Sequence, residues 1–255
     1  MDNARGHLAP AEPAEVSELR TRADAVRDTL AAAASEGPGR DLRHLVGIRA
    51  LVAQLQQLEP SAERSAWVMQ PSYFYDPEDP GVELTHAALA RGVQTLLLTR
   101  PATVQTHPLL PSIFPTARLA PVFLRAMVVD EERLVVEGPD TANGDRTAWY
   151  TTRKSILDGV LDIWHRTLPL STPILPPGTQ PPLSRRQLEV ARLLAVGEKD
   201  VSIARLLNMS ARTVERDVRT ILHELGAGSR TEAVLVMLGR GVNGGQPMHG
   251  DLPRG

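Results

Sequence analysis

The chain has 255 residues, of which 42% are hydrophobic, and its 28 lysines and arginines face 30 aspartates and glutamates, for a formal net charge of −2. This length has room for two domains, and the near-neutral charge argues against a protein whose whole surface is covered by nucleic acid. The chain has no cysteine, which excludes disulfides, thiolate catalysis and cysteine-ligated zinc. Its first residues lack the basic and apolar segments of a signal peptide, and no apolar run reaches the ~20 residues of a membrane span. We therefore expect a cytoplasmic protein without membrane contact.

Two helices are predicted before residue 61. In the first, which begins at Pro13, apolar residues recur every three or four positions at Val16, Leu19, Ala23, Val26 and Leu30. This spacing is typical of a helix with a short heptad seam. A second helix is predicted over 41–58. The two helices could pack on their own domain or pair between subunits, and the sequence leaves both open; we assign residues 13–60 as helical dimerisation arms.

Between residues 62 and 168 the pattern changes to one of strands and helices. Strands are predicted at 65–70, 93–99, 123–129, 133–137 and 147–152, with helices at 81–91 and 153–168. Such alternation indicates an α/β domain with a mixed sheet, which we assign to 62–168. The proline-rich stretch 169–182 is predicted to be a semi-rigid linker. Residues 1–12 and the tail after Gly241 are expected to be disordered.

Four short helices are predicted over 183–241, so the C-terminal domain is expected to be all-α. Ser184 with Gln187, and Ser229 with Glu232, have the spacing of helix capping boxes. Ser210 caps a third helix, whose apolar face consists of Val214, Val218, Ile221, Leu222 and Leu225. Another face of that helix carries a cationic row of Arg212, Arg216, Arg219 and His223.

An apolar face beside an exposed cationic row is what a helix in the DNA major groove requires. The groove admits one helix, and an arginine there can donate two hydrogen bonds to guanine. The same row also fits a solvated helix face with stabilising ion pairs, such as Glu215 with Arg219. Basic charge is concentrated in this part of the chain, because residues 183–240 hold ten lysines and arginines against seven acids.

The order of motifs over 183–241 resembles the LuxR/FixJ-type helix-turn-helix. The matching residues are Leu183-Ser184, Gly197, Ile203-Ala204, Ser210, Thr213-Val214, Leu225-Gly226, Ser229-Arg230 and Ala233. The resemblance implies a DNA-binding transcriptional regulator in which Glu215, Arg216 and Arg219 face base edges and Ser210, Arg212 and Thr213 meet phosphates. We add Arg185, Lys199 and His223 to the predicted DNA contacts.

The chain departs from the usual pattern of that family at Gln187, Lys199, Ser202, Asp217 and Glu224. With Glu215, the last two place three acids on the predicted reading helix. Because acids weaken nonspecific attraction to phosphate, affinity is expected to depend on specific contacts and on dimerisation. We therefore expect a homodimer bound to double-stranded DNA that contains an inverted repeat, with RNA polymerase as a further candidate partner.

The order of helix, apolar strand and paired strands over 62–168 resembles the phospholipase D-like module of TrmB-type sugar-responsive regulators. Active enzymes of that type carry His-x-Lys, four residues and then Asp; the corresponding residues here are Phe123, Arg125 and Asp130. Because phenylalanine has no nucleophilic nitrogen, the resemblance implies a module that has lost its reaction. The histidines lack metal-ligand spacing and no phosphate-binding Gly-rich loop is present, so we expect neither enzymatic activity nor a cofactor.

Ligand binding remains as a role for the α/β domain. In open α/β sheets, ligands lie beyond the carboxyl ends of the strands. Side chains that follow two predicted strands are Tyr73, Tyr75, Thr99 and Arg100, and Arg125 adds a permanent positive charge. These five are the candidate contacts of a small-molecule effector, although they also fit an ordinary surface, and Asp130 could instead pair with Arg125. The alternatives to a regulator are a phosphodiesterase-like enzyme and a ligand-free interaction scaffold, each with an appended DNA-binding domain.

Overall fold

A computed structural model describes residues 13–37, 39 and 41–240. The helices are α1 Ala14–Ser35, α2 Gly47–Leu58, α3 Gly81–Ala90, α4 Thr103–Thr106, α5 Leu110–Ile113, α6 Lys154–Thr167, α7 Arg185–Ala195, α8 Asp200–Leu206, α9 Ala211–Glu224 and α10 Arg230–Met237. The strands are β1 Leu42–Val46, β2 Ser65–Gln70, β3 Gln94–Thr99, β4 Arg118–Leu119, β5 Ala126–Val129, β6 Arg133–Glu137, β7 Thr147–Thr151 and β8 Thr172–Pro173. The predictions for residues 1–12 and for the tail after Gly241 lie outside the described residues.

The strands form one mixed sheet in the order β1-β7-β6-β5-β2-β3-β4-β8. Strands β2, β3 and β4 are parallel, and the remaining pairs are antiparallel. The parallel pair β2 and β3 is connected through α3, because parallel neighbours need a crossover. The predicted α/β class with a mixed sheet, followed by an all-α domain, is confirmed.

Helices cover both faces of the sheet. The side chains of a strand alternate between its faces, so Trp67 and Met69 of β2 pack with α1 and α6, while Ala66 and Val68 face the side of α2 and α3. On the first face Trp67 stacks on Trp164 of α6, with ring centroids 5.1 Å apart. The second face is less filled, and a cavity remains there.

The N-terminal segment differs from the predicted pair of helical arms. Residues 42–46 form an edge strand instead of the first turns of a helix, because they pair antiparallel with β7 and bury Leu42 and Leu45. Gly47, at φ +80°, ends this strand and begins α2. The apolar seam of α1 is buried against α6 in the core of its own chain. The sequence left open whether the first helix packs on its own domain or pairs between subunits, and α1 packs on its own domain.

The proline-rich stretch after α6 also differs from a plain linker. Thr172 and Pro173 form β8 and pair with β4 at the end of the sheet. Proline is tolerated there because an edge strand does not need every N–H donor. Residues 101–115 contain α4 and α5, and β5 is shorter than the predicted strand 123–129. Among the described residues, no helix is long and apolar enough to cross a membrane.

Candidate nucleic-acid interface and cavity

The third helix of the C-terminal domain, α9, is positioned by its cap and by its apolar face. Ser210 lies before the helix in an extended conformation, and its Oγ accepts a hydrogen bond from the N–H of Thr213 at 3.1 Å. Asn208, at φ 52°, turns the chain between α8 and α9. Val214 and Ile221 are fully buried in the core formed by the four helices. One side of α9 is therefore held firmly, and the opposite side faces outward.

The outward side of α9 carries the predicted cationic row of Arg212, Arg216, Arg219 and His223, all of them exposed. Arg219 forms an ion pair with Glu215 at 2.9 Å, and both side chains are more than 60% exposed. A helical pair of this kind contributes only about 0.3–0.5 kcal/mol, so a DNA base or phosphate can replace it at little cost. Among the described residues, neither Arg212 nor Arg216 forms a side-chain ion pair or hydrogen bond.

Asp217 does not belong to the exposed face, which corrects the expectation of three acids facing DNA. Its side chain is only 1% exposed and accepts two hydrogen bonds from Arg186 of α7, at 2.9 and 3.1 Å. The carboxylate is thus neutralised inside the domain and ties α7 to α9. Glu215 and Glu224 remain as the exposed acids of the helix.

The other predicted DNA contacts surround the start of α9. Ser210 is exposed, Thr213 is half-buried, and their hydroxyls lie 2.8 Å apart at the helix N-terminus. Helix N-termini favour anions because their N–H groups are unpaired. Arg185 and Lys199 are also exposed, one at the start of α7 and the other just before α8.

The C-terminal domain packs against the N-terminal domain through α5. Leu109, Ile113 and Phe114 belong to the same apolar cluster as Leu183 and the residues of α7 to α10. The N–H of Leu183 donates a hydrogen bond of 3.0 Å to Ser112 Oγ. The loop before α3 contributes Tyr75 to this cluster as well. The two domains are therefore in direct contact along α5.

A cavity of about 470 Å³ lies between the sheet, α2, α3 and the end of α5. Much of its wall is apolar, with side chains that include Ile48, Leu51, Leu55, Val68, Leu97 and Met127. Polar groups line it at two places. One group contains Glu59, Tyr73, Asp79 and Thr85, and the other contains Arg125, Glu137, Asp140 and Arg146.

The cavity includes two of the five candidate effector residues, Tyr73 and Arg125. The other three lie outside its wall. Tyr75 packs with the C-terminal domain, Thr99 is fully buried and donates to the carbonyl of Gln70 at 2.7 Å, and Arg100 donates to the carbonyl of Val122 at 2.6 Å. The prediction from strand ends missed most of the residues that line the cavity, because the cavity lies on one face of the sheet and not beyond its edge.

Asp130 does not pair with Arg125, so that alternative is wrong. Asp130 accepts hydrogen bonds from the N–H groups of Arg64 and Ser65 at 2.7 and 2.9 Å and pairs with Arg133 at 2.5 Å. Burial opposes ionisation of this carboxyl, but the backbone donors and Arg133 outweigh it and lower its pKa. Asp130 thus has a structural role at the turn between β5 and β6.

Phe123 and Arg125 do not share one site either. The Phe123 ring lies under the guanidinium groups of Arg20 and Arg100, at 4.4 and 5.4 Å from the ring centroid, and it packs against the core on the α1 side. Arg125 lines the cavity, where burial and then the nearby Arg146 lower its pKa. The two positions that correspond to the His-x-Lys pair therefore point to different surroundings.

Glu59 is a cavity residue that sequence reasoning did not select. Its side chain is 6% exposed, and its Oε2 atom has no hydrogen-bond partner. Burial and then the nearby Asp79 raise the pKa of this carboxyl to about 7, while Thr85 and Arg91 act in the opposite direction. A glutamate at the end of a helix, just before a proline, is usually solvated, so no local pattern distinguished it.

The remaining titratable groups give no metal site. Within residues 13–240, apart from the two positions left undescribed, no three His, Asp or Glu side chains could hold a metal ion together. His107 is buried between Tyr73 and Tyr75, and burial lowers its pKa to about 4. It is therefore neutral near neutral pH and packs as an aromatic side chain.

The C-terminal domain is similar to known regulatory proteins. Residues 181–237 match the family model described as bacterial regulatory proteins, luxR family. The chain is also 38% identical over 60 residues to the transcriptional regulatory protein YdfI of Bacillus subtilis (strain 168). That match covers 24% of this chain and spans only 28% of the relative. The likeness predicted from the motifs at 183–241 is thereby confirmed.

Solved structures similar to this chain include two that cover more than half of it at low identity. One is TrmBL2, an archaeal chromatin protein, at a TM-score of 0.40 and 15% identity, with 59% of this chain and 64% of that chain covered. The other is Nuc from Salmonella typhimurium, a phospholipase D family member, at a TM-score of 0.43 and 15% identity, with 53% and 100% covered.

Proposed function

We propose that this chain, whose C-terminal domain belongs to the LuxR family of bacterial regulatory proteins, is a transcriptional regulator that binds double-stranded DNA through α9. The observation that carries the proposal is the exposed row of Arg212, Arg216 and Arg219 on a helix whose opposite side is buried. A regulator of this kind acts where the DNA is, in the cytoplasm, with RNA polymerase as a candidate partner.

The residues of α9 divide into two roles in this proposal. Arg216 and Arg219 read base edges, with Glu215 able to accept from a cytosine amino group once its pair with Arg219 opens. Arg212 and the hydroxyls of Ser210 and Thr213 contact phosphates at the start of the helix. Arg185, Lys199 and His223 add peripheral contacts.

The regulator is proposed to act as a homodimer. A two-fold dimer presents its two reading helices to half-sites about one helical turn, or ~34 Å, apart, so the operator is an inverted repeat. The seam of α1 is occupied by its own core. We therefore propose α10 as the contact between subunits, with Leu235, which is 40% exposed, on its outer side.

The N-terminal domain is proposed to sense a small molecule without transforming it. Phe123 supplies no nucleophile for phosphoryl transfer, so purified protein should hydrolyse no phosphodiester above background. The cavity shares a wall with the DNA-binding domain, because Ile113 and Phe114 line the cavity and pack against that domain. A molecule that binds better to one position of α5 shifts α7 with it.

Two measurements test this function. Genome-wide mapping of bound sites, followed by anisotropy titration of a mapped site and its scrambled version, should show preference for an inverted repeat. A thermal-shift screen of anionic metabolites, sugars and apolar molecules should give stabilisation that grows with concentration. Equal affinity for both DNA sequences would refute specific DNA binding. A shift that survives Tyr73→Ala and Arg125→Ala together would show that this cavity is not the sensor.

A further inference from the structure

Two residues that line the cavity each have a buried side-chain atom without a hydrogen-bond partner. Among the described residues, three buried side-chain atoms lack a hydrogen-bond partner, and two of them belong to the cavity residues Glu59 and Arg125. Leaving a buried polar atom unpaired is costly, and native structures contain few such atoms. The unpaired atoms are Oε2 of Glu59, which accepts hydrogen bonds, and Nε of Arg125, which donates one.

The Glu59 end of the cavity has an excess of negative charge. Asp79 lines the same wall and accepts hydrogen bonds from the Tyr73 hydroxyl at 2.6 Å and the Gly81 N–H at 2.8 Å. Arg91 is directed to the backbone carbonyl of Glu59, at 3.0 Å, and not to its carboxylate. Glu59 and Asp79 thus place two carboxyl groups at this end, whereas the nearby Arg91 contacts a backbone carbonyl. A positively charged group would satisfy Glu59 best.

The Arg125 end has charges of both signs, and its Glu137 is already paired with Arg27 of α1 at 2.8 Å. Arg125 and Arg146 line the wall together with Glu137 and Asp140. The Arg125 Nη2 atom already lies 3.3 Å from both the carbonyl and the hydroxyl of Ser72, so its unpaired Nε is the donor left over. A neutral acceptor, such as an ether or carbonyl oxygen, fits this end without adding charge.

The space between the two ends is apolar. Aliphatic side chains of α2 and of the sheet form it, among them Leu51, Leu55, Val68 and Met127. A cavity of about 470 Å³ lies in the range of small-molecule sites, in which apolar walls supply affinity and a few polar groups fix orientation. Strongly polar molecules such as sugars would leave most of their hydroxyls unpaired against this wall.

We propose that the cavity binds a mainly apolar small molecule that carries a basic nitrogen for Glu59 and a neutral hydrogen-bond acceptor for Arg125. This inference rests on the proposed sensor role of the N-terminal domain and names the chemical class of its effector. The nitrogen binds as the ammonium, whose N–H donates to the carboxylate of Glu59. No bond is formed or broken in the process.

Three probes of the same shape test the charge assignment. They are para-benzyloxyphenethylamine, the neutral para-benzyloxypropylbenzene and the acidic para-benzyloxyphenylpropanoate, each titrated calorimetrically into the full chain above the pKa of Glu59. The amine should bind about tenfold more tightly than the neutral probe, as a charge-assisted hydrogen bond warrants. Glu59→Gln should remove that advantage and leave the neutral probe unchanged. Glu83→Gln, an exposed change of the same charge on α3, should leave all three affinities as they are.

The acceptor end is tested with a fourth probe, in which a methylene group replaces the ether oxygen of the amine. Wild type should prefer the ether, and Arg125→Met should bind both amines equally while keeping the preference for amine over neutral probe. This second variant keeps the proposal falsifiable if Glu59→Gln fails to fold.

Tighter binding of the acidic or the neutral probe would overturn the chemical class and leave effector sensing intact. Failure of every probe to bind would overturn the class too. DNA recognition is judged separately, by the titration of mapped and scrambled sites.

Discussion

Arg186 of α7 holds Asp217 of α9 in a two-pronged ion pair, with N···O distances of 2.9 and 3.1 Å and the carboxylate almost completely buried. The pair neutralises an acid of α9 and fixes this helix to α7. The arginine is half exposed, so it supplies charge at the domain surface while its guanidinium is occupied.

Replacing Arg186 should loosen α9. In Arg186→Ala the buried carboxylate loses both donors, and we expect a local cost of about 2 kcal/mol, since hydrogen bonds to charged groups contribute about 1.5–3 kcal/mol. Amide hydrogen exchange in α7 and α9 should accelerate by more than about tenfold. The neighbouring exposed change Arg185→Ala is the control and should leave exchange unaltered. Equal protection in both variants would show that the ion pair does not brace the helix.

The arginines of the reading helix should separate by role in DNA titrations. Arg216→Ala and Arg219→Ala should each cost about 1–3 kcal/mol of specific binding, because each removes a base contact. Arg212→Ala should weaken all sequences alike and reduce the salt dependence by about one phosphate. Lys154→Ala, on the exposed side of α6, is the control. If both base-reading variants kept full operator preference, the assigned orientation of α9 would be wrong.

Self-association should depend on α10. Leu235→Arg places a charge on the proposed contact, and light scattering should then show a larger monomer fraction at the same concentration. Val196→Arg changes an apolar side chain of similar exposure in the loop after α7 and should leave the distribution unchanged. A deletion of residues 1–60 is a poor test, because it removes β1 and the buried side of α1. Association unaffected by Leu235→Arg would exclude α10 as the interface.

The free energy of unfolding should depend on pH because of Glu59. Burial raises the folded-state pKa of this carboxyl from an ordinary 4.5 to about 7. The folded state therefore binds the proton more tightly, and stability is lost as pH rises through the window between these values. At pH above this window the penalty is about 3 kcal/mol, the net result of burial and Asp79 against Thr85 and Arg91.

Glu59→Gln should remove this penalty. Denaturant unfolding of variant and wild type should agree at the acidic end of the window and diverge above it, with the variant more stable. Comparison at each pH cancels other titrating groups, including His107, whose depressed pKa acts in the opposite direction as pH falls. His86 also lines the cavity, so Glu59→Gln in a His86→Gln background checks for coupling. A constant difference at all pH values would show that Glu59 ionises normally.

Local sequence patterns were sufficient to predict the helix caps and the two sides of α9 in the C-terminal domain. Ser184 with Gln187, and Ser210 with Thr213, are neighbours within one helical turn. Their capping hydrogen bonds can therefore be predicted from the spacing of these residues in the sequence. The same holds for the two sides of α9, which follow the helical period. Motif order then gave the resemblance to the LuxR/FixJ-type helix-turn-helix, and residues 181–237 match the luxR family model.

The sequence by itself determined the fold class and the two sides of α9, because these depend on the period and caps of short segments. Only the tertiary structure decided that residues 42–46 join the sheet, since a free edge of β7 outweighs the helical pattern of the segment. It also decided that Arg186 pairs with Asp217, that Arg133 pairs with Asp130, and that Glu59 and Arg125 line one cavity. Burial and charge partners arise from segments far apart in the chain, and no local spacing encodes which of them meet.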